Sequence, residues 1–254
     1  MTIGIHLLPN QRHKLCARTT TDYHVLVAGQ RGLGKTTLLA TLLDTSAQTT
    51  TTATTTNTTS AVESSTSTVV EKQMRVRLTR SVCHLADAID NSKTHEPLVR
   101  FLDSLHRDYA RQRRENRRSL TDTRVHLLLY LVDPTGHSLS ATDLNILLQL
   151  HTRVNLVVLV AKADTVTPAT LVAFKQRILA CLEHHQIRTW TPDQDDADSE
   201  LLAAMPLAVI GASAIADVNG AQVLCREYRW GRALVDDPVH CDIPLLRNLV
   251  VRFL

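Results

Sequence analysis

The stretch Gly29-Gln-Arg-Gly-Leu-Gly-Lys-Thr36 (GQRGLGKT) matches the pattern G-x-x-x-x-G-K-[ST], and it decides the fold class of this 254-residue chain. A strand-like apolar run, Tyr23 to Ala28 (YHVLVA), precedes it, and a helix is predicted directly after it, from Lys35 to Leu43. Between a strand and a helix, such a loop surrounds phosphate groups with backbone N–H groups and the helix N-terminus. We therefore predict a nucleotide-binding P-loop, and the flanking elements disfavour the alternative of a plain glycine-rich turn.

Within this loop the residue types indicate separate roles. Lys35 is expected to reach the β and γ phosphates, and the hydroxyl of Thr36 is expected to bind Mg²⁺. The predicted phosphate-binding residues are Gly29, Gln30, Arg31, Gly32, Leu33, Gly34, Lys35, Thr36 and Thr37.

The remainder of the chain alternates between strand-like and helix-like segments. Continuous apolar runs of strand length occur at 125–132, 156–161 and 206–211, and helical periodicity occurs at 139–150 and 168–185. Runs of this kind are typical of strands buried on both faces. We predict an α/β fold of the P-loop NTPase class, with a mostly parallel sheet and helices on both faces.

A second motif, Ala161-Lys-Ala-Asp164, follows one of these strands. Ligands of open α/β sheets bind at the carboxyl ends of the strands. A carboxylate there can accept hydrogen bonds from N1–H and the amine of guanine, whereas adenine has no matching pair of donors. Lys162 and Asp164 therefore predict guanine, so GTP or GDP, and they argue against an ATPase or a kinase.

Composition excludes several classes of protein. The net charge is only +3, with 44% apolar and 4% aromatic residues, which gives no indication of nucleic-acid binding. The five cysteines show no paired or zinc-type spacing, and a polar helix end is favoured over a metal site for Cys181 to His185. Neither a signal peptide nor a membrane span is predicted, so we expect a cytoplasmic protein.

Two kinds of biased segment interrupt the α/β pattern. Ser46 to Ser60 is dominated by threonine and is predicted to be a mobile loop. Arg107 to Arg118 is rich in arginine and Asp193 to Glu200 is acidic, and solvated surface is the simpler interpretation of both.

Two longer stretches resemble the septins, the GTP-binding proteins that assemble into filaments. Asp122 to Pro168, with its RVH, PTGH and AKAD elements, is similar to the septin core, and Arg226 to Val250 resembles a segment peculiar to septins. The resemblance covers roughly residues 20–254. It implies an N-terminal segment over 1–20 and a septin-type GTPase domain over 21–254, with residues 46–68 as the switch I loop.

The resemblance also implies two further guanine contacts, at Gly211 and Arg226. Without it, a strand-end turn and a surface charge would be the preferred interpretations of these two residues. Cys225 stands where septins usually have glycine.

The sequence departs from the family at the switch segments. Septins have D-T-P-G where this chain has Ser81-Val-Cys-His84, so the Mg²⁺-holding Asp and the phosphate-sensing Gly are both absent. The switch I threonine could align with any of four residues: Thr58, Thr59, Thr66 or Thr68. We expect slow or absent hydrolysis, with nucleotide acting mainly as a structural cofactor. The alternative is a working GTPase in which partner residues or local realignment compensate.

Partner expectations also follow from the resemblance. The septin face that surrounds the nucleotide is expected to pair with septins through His126 and Trp230, and the arginine-rich stretch to contact an acidic membrane surface. The chain ends at Leu254 without a heptad tail, so the second assembly face is expected to be incomplete. We expect a cytoskeleton-associated assembly subunit.

Overall fold

In the computed structural model of this chain, the described residues are 20–43, 62–71, 74–85, 96–115, 121–191, 199–218, 221–229, 231–238 and 240–252. Their strands are β1 (Thr20–Gln30), β2 (Val62–Glu71), β3 (Met74–Leu85), β4 (Leu127–Val132), β5 (Leu156–Val160), β6 (Leu207–Ala208), β7 (Ala214–Val218), β8 (Ala221–Tyr228) and β9 (Gly231–Leu234). Their helices are α1 (Lys35–Leu43), α2 (Glu96–Glu115), α3 (Ala141–Leu150), α4 (Pro168–His184), α5 (Ser199–Ala204) and α6 (Ile243–Arg252).

The first six strands form one sheet in the order β2-β3-β1-β4-β5-β6. Only β2 runs antiparallel to its neighbour, and β3, β1, β4, β5 and β6 are mutually parallel. Every residue of β4 and β5 is buried, as expected for strands covered on both faces. The α/β prediction is therefore confirmed.

Local signals account for the starts of two helices. The Thr167 side chain caps α4 by accepting a hydrogen bond from the N–H of Thr170, and Pro168 occupies the first turn, as the sequence predicts. Ser140 caps α3 in the same way through the N–H of Asp143. Both capping residues lie in loops that follow β4 and β5, at the carboxyl edge of the parallel sheet.

The edge strand β6 is shorter than predicted. The sequence suggests a strand from Pro206 to Gly211, but only Leu207–Ala208 pair with β5. The C-terminal segment covers the free side of β6, where Asp242 N–H donates to Ala208 O at 2.7 Å and the Asp242 carboxylate accepts from Ala208 N–H at 2.8 Å. Lys175 of α4 forms an ion pair with the same carboxylate at 2.8 Å.

The ribbon of β2 and β3 is not evident from the sequence. The loop predicted over 46–68 ends earlier than expected, because the residues from Val62 onward form β2. The part of the threonine tract before Val62 lies outside the described residues. A second, antiparallel sheet has the strand order β7-β8-β9.

Candidate nucleotide-binding site

The predicted P-loop joins β1 to α1 with little room for side chains. Gly29 has φ +149°, and a Cβ built on it would lie 2.7 Å from the backbone oxygen of Leu131 on β4. Such a contact is far shorter than van der Waals distance and involves backbone, so only glycine fits here. The close approach of β1 to β4 therefore sets where the loop leaves the sheet.

Lys35 is 2% exposed, an unusual position for an ammonium group. Its Nζ donates to the backbone oxygens of Gly29 at 2.9 Å and Gln30 at 2.5 Å. These bonds hold the charge beside the strand end, at the start of α1. A cation next to a helix N-terminus is an arrangement that attracts phosphate groups.

The first turn of α1 presents two threonines. Thr36 is exposed, and Thr37 is partly buried and lines the neighbouring cavity. Mg²⁺ keeps several water ligands and accepts a few hard oxygen donors, so the Thr36 hydroxyl fits such an ion together with phosphate oxygens. The end of β3 at the same edge carries Cys83 and His84, neither of which supplies a carboxylate.

The AKAD motif turns directly after β5. Ala163 N–H donates to Val209 O at 3.2 Å, a short 3₁₀ turn spans Ala163–Thr165, and Lys162 adopts the left-handed conformation with φ 49° and ψ 47°. The Asp164 side chain is only 3% exposed, yet neither of its oxygens has a hydrogen-bond partner among the described residues. Arg226 forms an ion pair with it, and its Nη1 lies 3.3 Å from Oδ2.

Buried carboxylate oxygens without hydrogen bonds are costly, by about 1–3 kcal/mol or more for a charged group. They are explained if a ligand supplies the donors. Guanine carries two adjacent donors, N1–H and the amine, which suit the two oxygens of Asp164.

A cavity of about 450 Å³ connects the two motifs. It is lined by residues from the P-loop and α1, from the loop after β5, and from the region of β6 to β8, among them Gly34, Thr37, Lys162, Gly211 and Arg226. Asp164 lines a second cavity of about 280 Å³ next to it, with Tyr228 and Ile210. The fold thus brings the predicted phosphate-binding and base-binding residues to one edge of the sheet.

Gly211 lies against the start of α1. A Cβ on it would be 3.2 Å from Leu38 N and 3.3 Å from Thr37 Cβ. Cys225 is fully buried in the wall of the larger cavity, directly before Arg226.

Thr41 was not singled out from the sequence, although it connects α1 to the loop after Gly211. Its hydroxyl accepts from Ala212 N–H at 3.2 Å and lies 2.9 Å from Ala212 O and 2.8 Å from Thr37 O. A threonine in a helix carries no pattern that could reveal such a role, because its partner is 171 residues away.

The structure separates the residues that replace D-T-P-G. Ser81 is completely buried within the sheet, where its hydroxyl lies 2.7 Å from His24 Nε2 and 2.8 Å from Ser64 Oγ. His84, in contrast, is exposed at the end of β3 and is the register partner of Gly29. The His84 imidazole is therefore at the end of β3 beside the P-loop, whereas Ser81, three residues earlier, is inside the sheet.

Register also tests the switch I candidates. Thr66 pairs with Thr79 and Thr68 with Arg77, which puts both several residues before the phosphate-side end of β3. At about 3.3 Å per residue they lie far from the P-loop edge. Thr58 and Thr59 are outside the described residues.

The expectation that His126 belongs to the nucleotide face is wrong. His126 precedes β4, its N–H donates to His24 O, and Gly29 pairs with Leu131 five residues later. Because β1 and β4 are parallel, His126 lies at the opposite edge of the sheet, about 16 Å from the P-loop end. It lines a cavity there with His106, Arg124, His151 and Arg153. Trp230 lies outside the described residues.

Comparison with known proteins decides the family. The Septin family model matches residues 19–254, which is nearly the whole chain. The chain belongs to the septin family. It is 34% identical to Cell division control protein 12 of Saccharomyces cerevisiae, over 98% of this chain and 68% of that one. It is 33% identical to Septin homolog spn4 of Schizosaccharomyces pombe, over 98% and 70%.

The relatives named here extend beyond the part that this chain matches. The chain is 34% identical to human Septin-4 but spans only 55% of its length. The septin GTPase domain from Chlamydomonas reinhardtii superposes with a TM-score of 0.71 and 21% identity, over 92% of this chain and 93% of that one. That likeness supports the fold.

Two kinds of feature are absent from the described part of the chain. Within the described ranges, no group of three or more His, Cys, Asp or Glu side chains is arranged to hold a metal ion. The helices described above include none that is long and apolar enough to cross a membrane.

Proposed function

We propose that this septin binds GTP or GDP, with Mg²⁺, as a structural cofactor of a cytoskeletal assembly subunit, and that it hydrolyses GTP slowly or not at all. The observation that carries guanine binding is the buried Asp164 carboxylate. Among the described residues it has an ion pair with Arg226 but no hydrogen bond to either oxygen. The phosphate end of the proposed site is Gly29 to Thr37, with Lys35 as the cation. Lys162, Gly211 and Arg226 complete the base end.

Slow hydrolysis is inferred from the end of β3. Transfer of a phosphoryl group to water depends on charges and donors held at the γ-phosphate. Ser81 is buried away from that edge and His84 occupies it. The alternative, a working GTPase, is supported by the complete P-loop motif with Lys35 and Thr36.

The first experiment identifies the nucleotide that co-purifies with the protein, by denaturing release and chromatography. We expect guanine nucleotide, and Lys35→Ala is expected to lose it. Folded protein that carries none and takes up neither GDP nor GTP at micromolar concentration would refute the proposal. Single-turnover hydrolysis, with and without a partner septin, then separates the two candidates, because rapid release of phosphate supports the working GTPase.

Assembly is proposed to occur across the nucleotide-side face. Ile215 on β7, next to the cavity-lining Ala214, is 64% exposed, and such an apolar side chain suits a subunit contact. Ile215→Glu should shift nucleotide-loaded protein from dimer to monomer in light scattering, whereas Leu202→Glu on α5 should not. A wild-type protein that is strictly monomeric when loaded with nucleotide would contradict this part of the proposal.

We also propose that the protein contacts acidic membranes, because of the arginines on α2, and that it is cytoskeletal, because of its family. The C-terminal half of α2 exposes Arg107, Arg111, Arg113 and Arg114, although Asp108 and Glu115 interrupt the run. Basic segments of this kind attract anionic lipid headgroups. Sedimentation with vesicles that contain phosphatidylserine tests the contact, and binding that is equal on neutral vesicles would contradict it. We place the protein in the cytoplasm, associated with the cytoskeleton.

A further inference from the structure

We propose that His84, together with Arg31, contacts the phosphate oxygens of the bound nucleotide and makes nucleotide binding by this chain largely independent of Mg²⁺. This inference rests on the proposed function, because it concerns the same site. It assigns a role to the residue that stands at the phosphate edge of β3.

The position of His84 follows from the strand register. In the parallel pairing of β3 with β1, His84 is opposite Gly29, the first residue of the P-loop. Adjacent strands lie about 4.8 Å apart, so the His84 backbone is next to the start of the loop. Its side chain is exposed, while its neighbours Cys83 and Leu85 are buried.

The charged groups around His84 come from three elements. Burial lowers the pKa of the His84 imidazole, as do the positive charges of Lys35 on α1 and Arg31 in the P-loop, whereas Glu63 on β2 raises it. These surroundings favour the neutral form of the His84 imidazole. It has one N–H donor, and two permanent cations share its surroundings.

Charge balance connects these groups to the metal. A nucleotide tail carries several negative charges, which a P-loop protein normally offsets with a lysine, backbone amides and Mg²⁺. Among the described residues, the charged side chains that act on His84 are the cations Lys35 and Arg31 and the carboxylate of Glu63. Lys35 is the usual P-loop lysine, so Arg31 and His84 are the additional groups here. Both can donate hydrogen bonds to phosphate oxygens and so supply part of the compensation that the metal supplies elsewhere.

Equilibrium titration with a fluorescent guanosine diphosphate tests this inference, in buffer with Mg²⁺ and in buffer with EDTA. For the wild-type chain we expect chelation to weaken binding by less than about tenfold, which is a small part of a typical nucleotide affinity. His84→Asp introduces a carboxylate at the same edge. This variant should bind the diphosphate about tenfold or more weakly than wild type in EDTA. Added Mg²⁺ should restore much of its affinity, because the new carboxylate repels phosphate but can bind the metal.

Two further variants make the result specific. Arg31→Gln should weaken binding in EDTA, as His84→Asp does, whereas His184→Asp on the exposed surface of α4 should behave as wild type. Thermal melting of each variant identifies any loss of folding. If a variant does not fold, the affinity of the wild-type chain with Mg²⁺ and with EDTA still tests the inference.

The possible failures are distinguishable. If wild-type protein binds the diphosphate with Mg²⁺ but loses tenfold or more of its affinity in EDTA, this inference is wrong and the proposed function stands. The same holds if His84→Asp leaves the affinity in EDTA unchanged. If wild-type protein binds no guanine nucleotide in either buffer, the proposed function fails as well.

Discussion

Arg226 Nη1 lies 3.3 Å from Asp164 Oδ2, and this ion pair forms between residues that are 62 positions apart in the chain. Arg226 is partly exposed, while the Asp164 side chain is almost fully buried without a hydrogen bond. The arginine stabilises the charge of the carboxylate and leaves the hydrogen-bonding capacity of both oxygens for a ligand. A base with two donors completes this arrangement.

Asp164→Asn should therefore change the base that is bound. An amide both donates and accepts, so it loses one bond to guanine but can bond to the oxygen that xanthine has in place of the guanine amine. We expect the affinity for GDP to fall by about 100-fold and xanthosine diphosphate to become the better ligand, measured by competition titration. Asp103→Asn on α2 is the matched control, and a variant that still prefers GDP would contradict the assigned role of Asp164.

Gly29→Ala should destabilise the protein itself. Its Cβ would meet Leu131 O at 2.7 Å in a backbone conformation that L residues rarely adopt. We expect the free energy of unfolding in urea to fall by about 2–4 kcal/mol. Gly231→Ala, with open space around the new Cβ, should change it by less than about 0.5 kcal/mol. Equal stability of the two variants would show that β1 and β4 separate easily at this point.

Thr41→Val should weaken both stability and nucleotide binding. Valine has nearly the same shape but leaves the buried N–H and C=O of Ala212 without the Thr41 hydroxyl. An unsatisfied buried group costs about 1–3 kcal/mol, and Ala212 lines the nucleotide cavity. Thr41→Ser keeps the hydroxyl, so it should bind GDP more tightly than Thr41→Val does. A serine variant that binds as weakly as the valine variant would contradict this role of the hydroxyl.

His24 should make stability depend on pH. Burial lowers the pKa of His24 to about 4, partly offset by a hydrogen bond to the Thr123 backbone. Because the pKa of His24 is lower in the folded state, the unfolded state binds the proton more tightly. The free energy of unfolding therefore decreases as pH falls from about 6.5 to about 4. The contribution of neutral His24 to stability is complete above the pKa of the unfolded state. It is lost between that pKa and the lower pKa of the folded state, and amounts to a total on the order of 3 kcal/mol.

Urea unfolding of wild type and His24→Gln between pH 7 and pH 4 measures this contribution. The wild-type chain should lose more stability on acidification than the variant does. Parallel losses in the two proteins would show that other groups, such as Asp122 beside His24, cause the pH dependence.

Elements that carry local signals were predictable from sequence. The helix over Lys35–Leu43 matches the prediction, and β4 and β5 coincide with their apolar runs to within a few residues. Thr167 and Pro168 mark the start of α4 because capping and the fixed φ of proline act within one turn. The edge strands were harder, since β2 contains many Ser and Thr residues and its pairing with β3 is what stabilises it.

The proposed base site was also only partly predictable from sequence. The sequence motif indicates Asp164, but its burial, its unsatisfied oxygens and its distance to Arg226 come from the packing of β5, β6 and β8. The wrong placement of His126 has a related cause. The RVH motif does not specify at which edge of the sheet it lies. The parallel pairing of β4 with β1 puts the residues before β4 at the edge opposite the P-loop.

By itself the sequence determined the P-loop, the α/β class, the septin resemblance and the chemical type of each site residue, because those properties depend on side chains that are close together along the chain. The tertiary structure alone decided that Ser81 is buried, that His84 stands beside Gly29 and that Thr41 holds Ala212. These relationships depend on strand register and on contacts between distant segments. Neither leaves a pattern in the order of the residues, since a parallel sheet joins segments that are separated by whole helices.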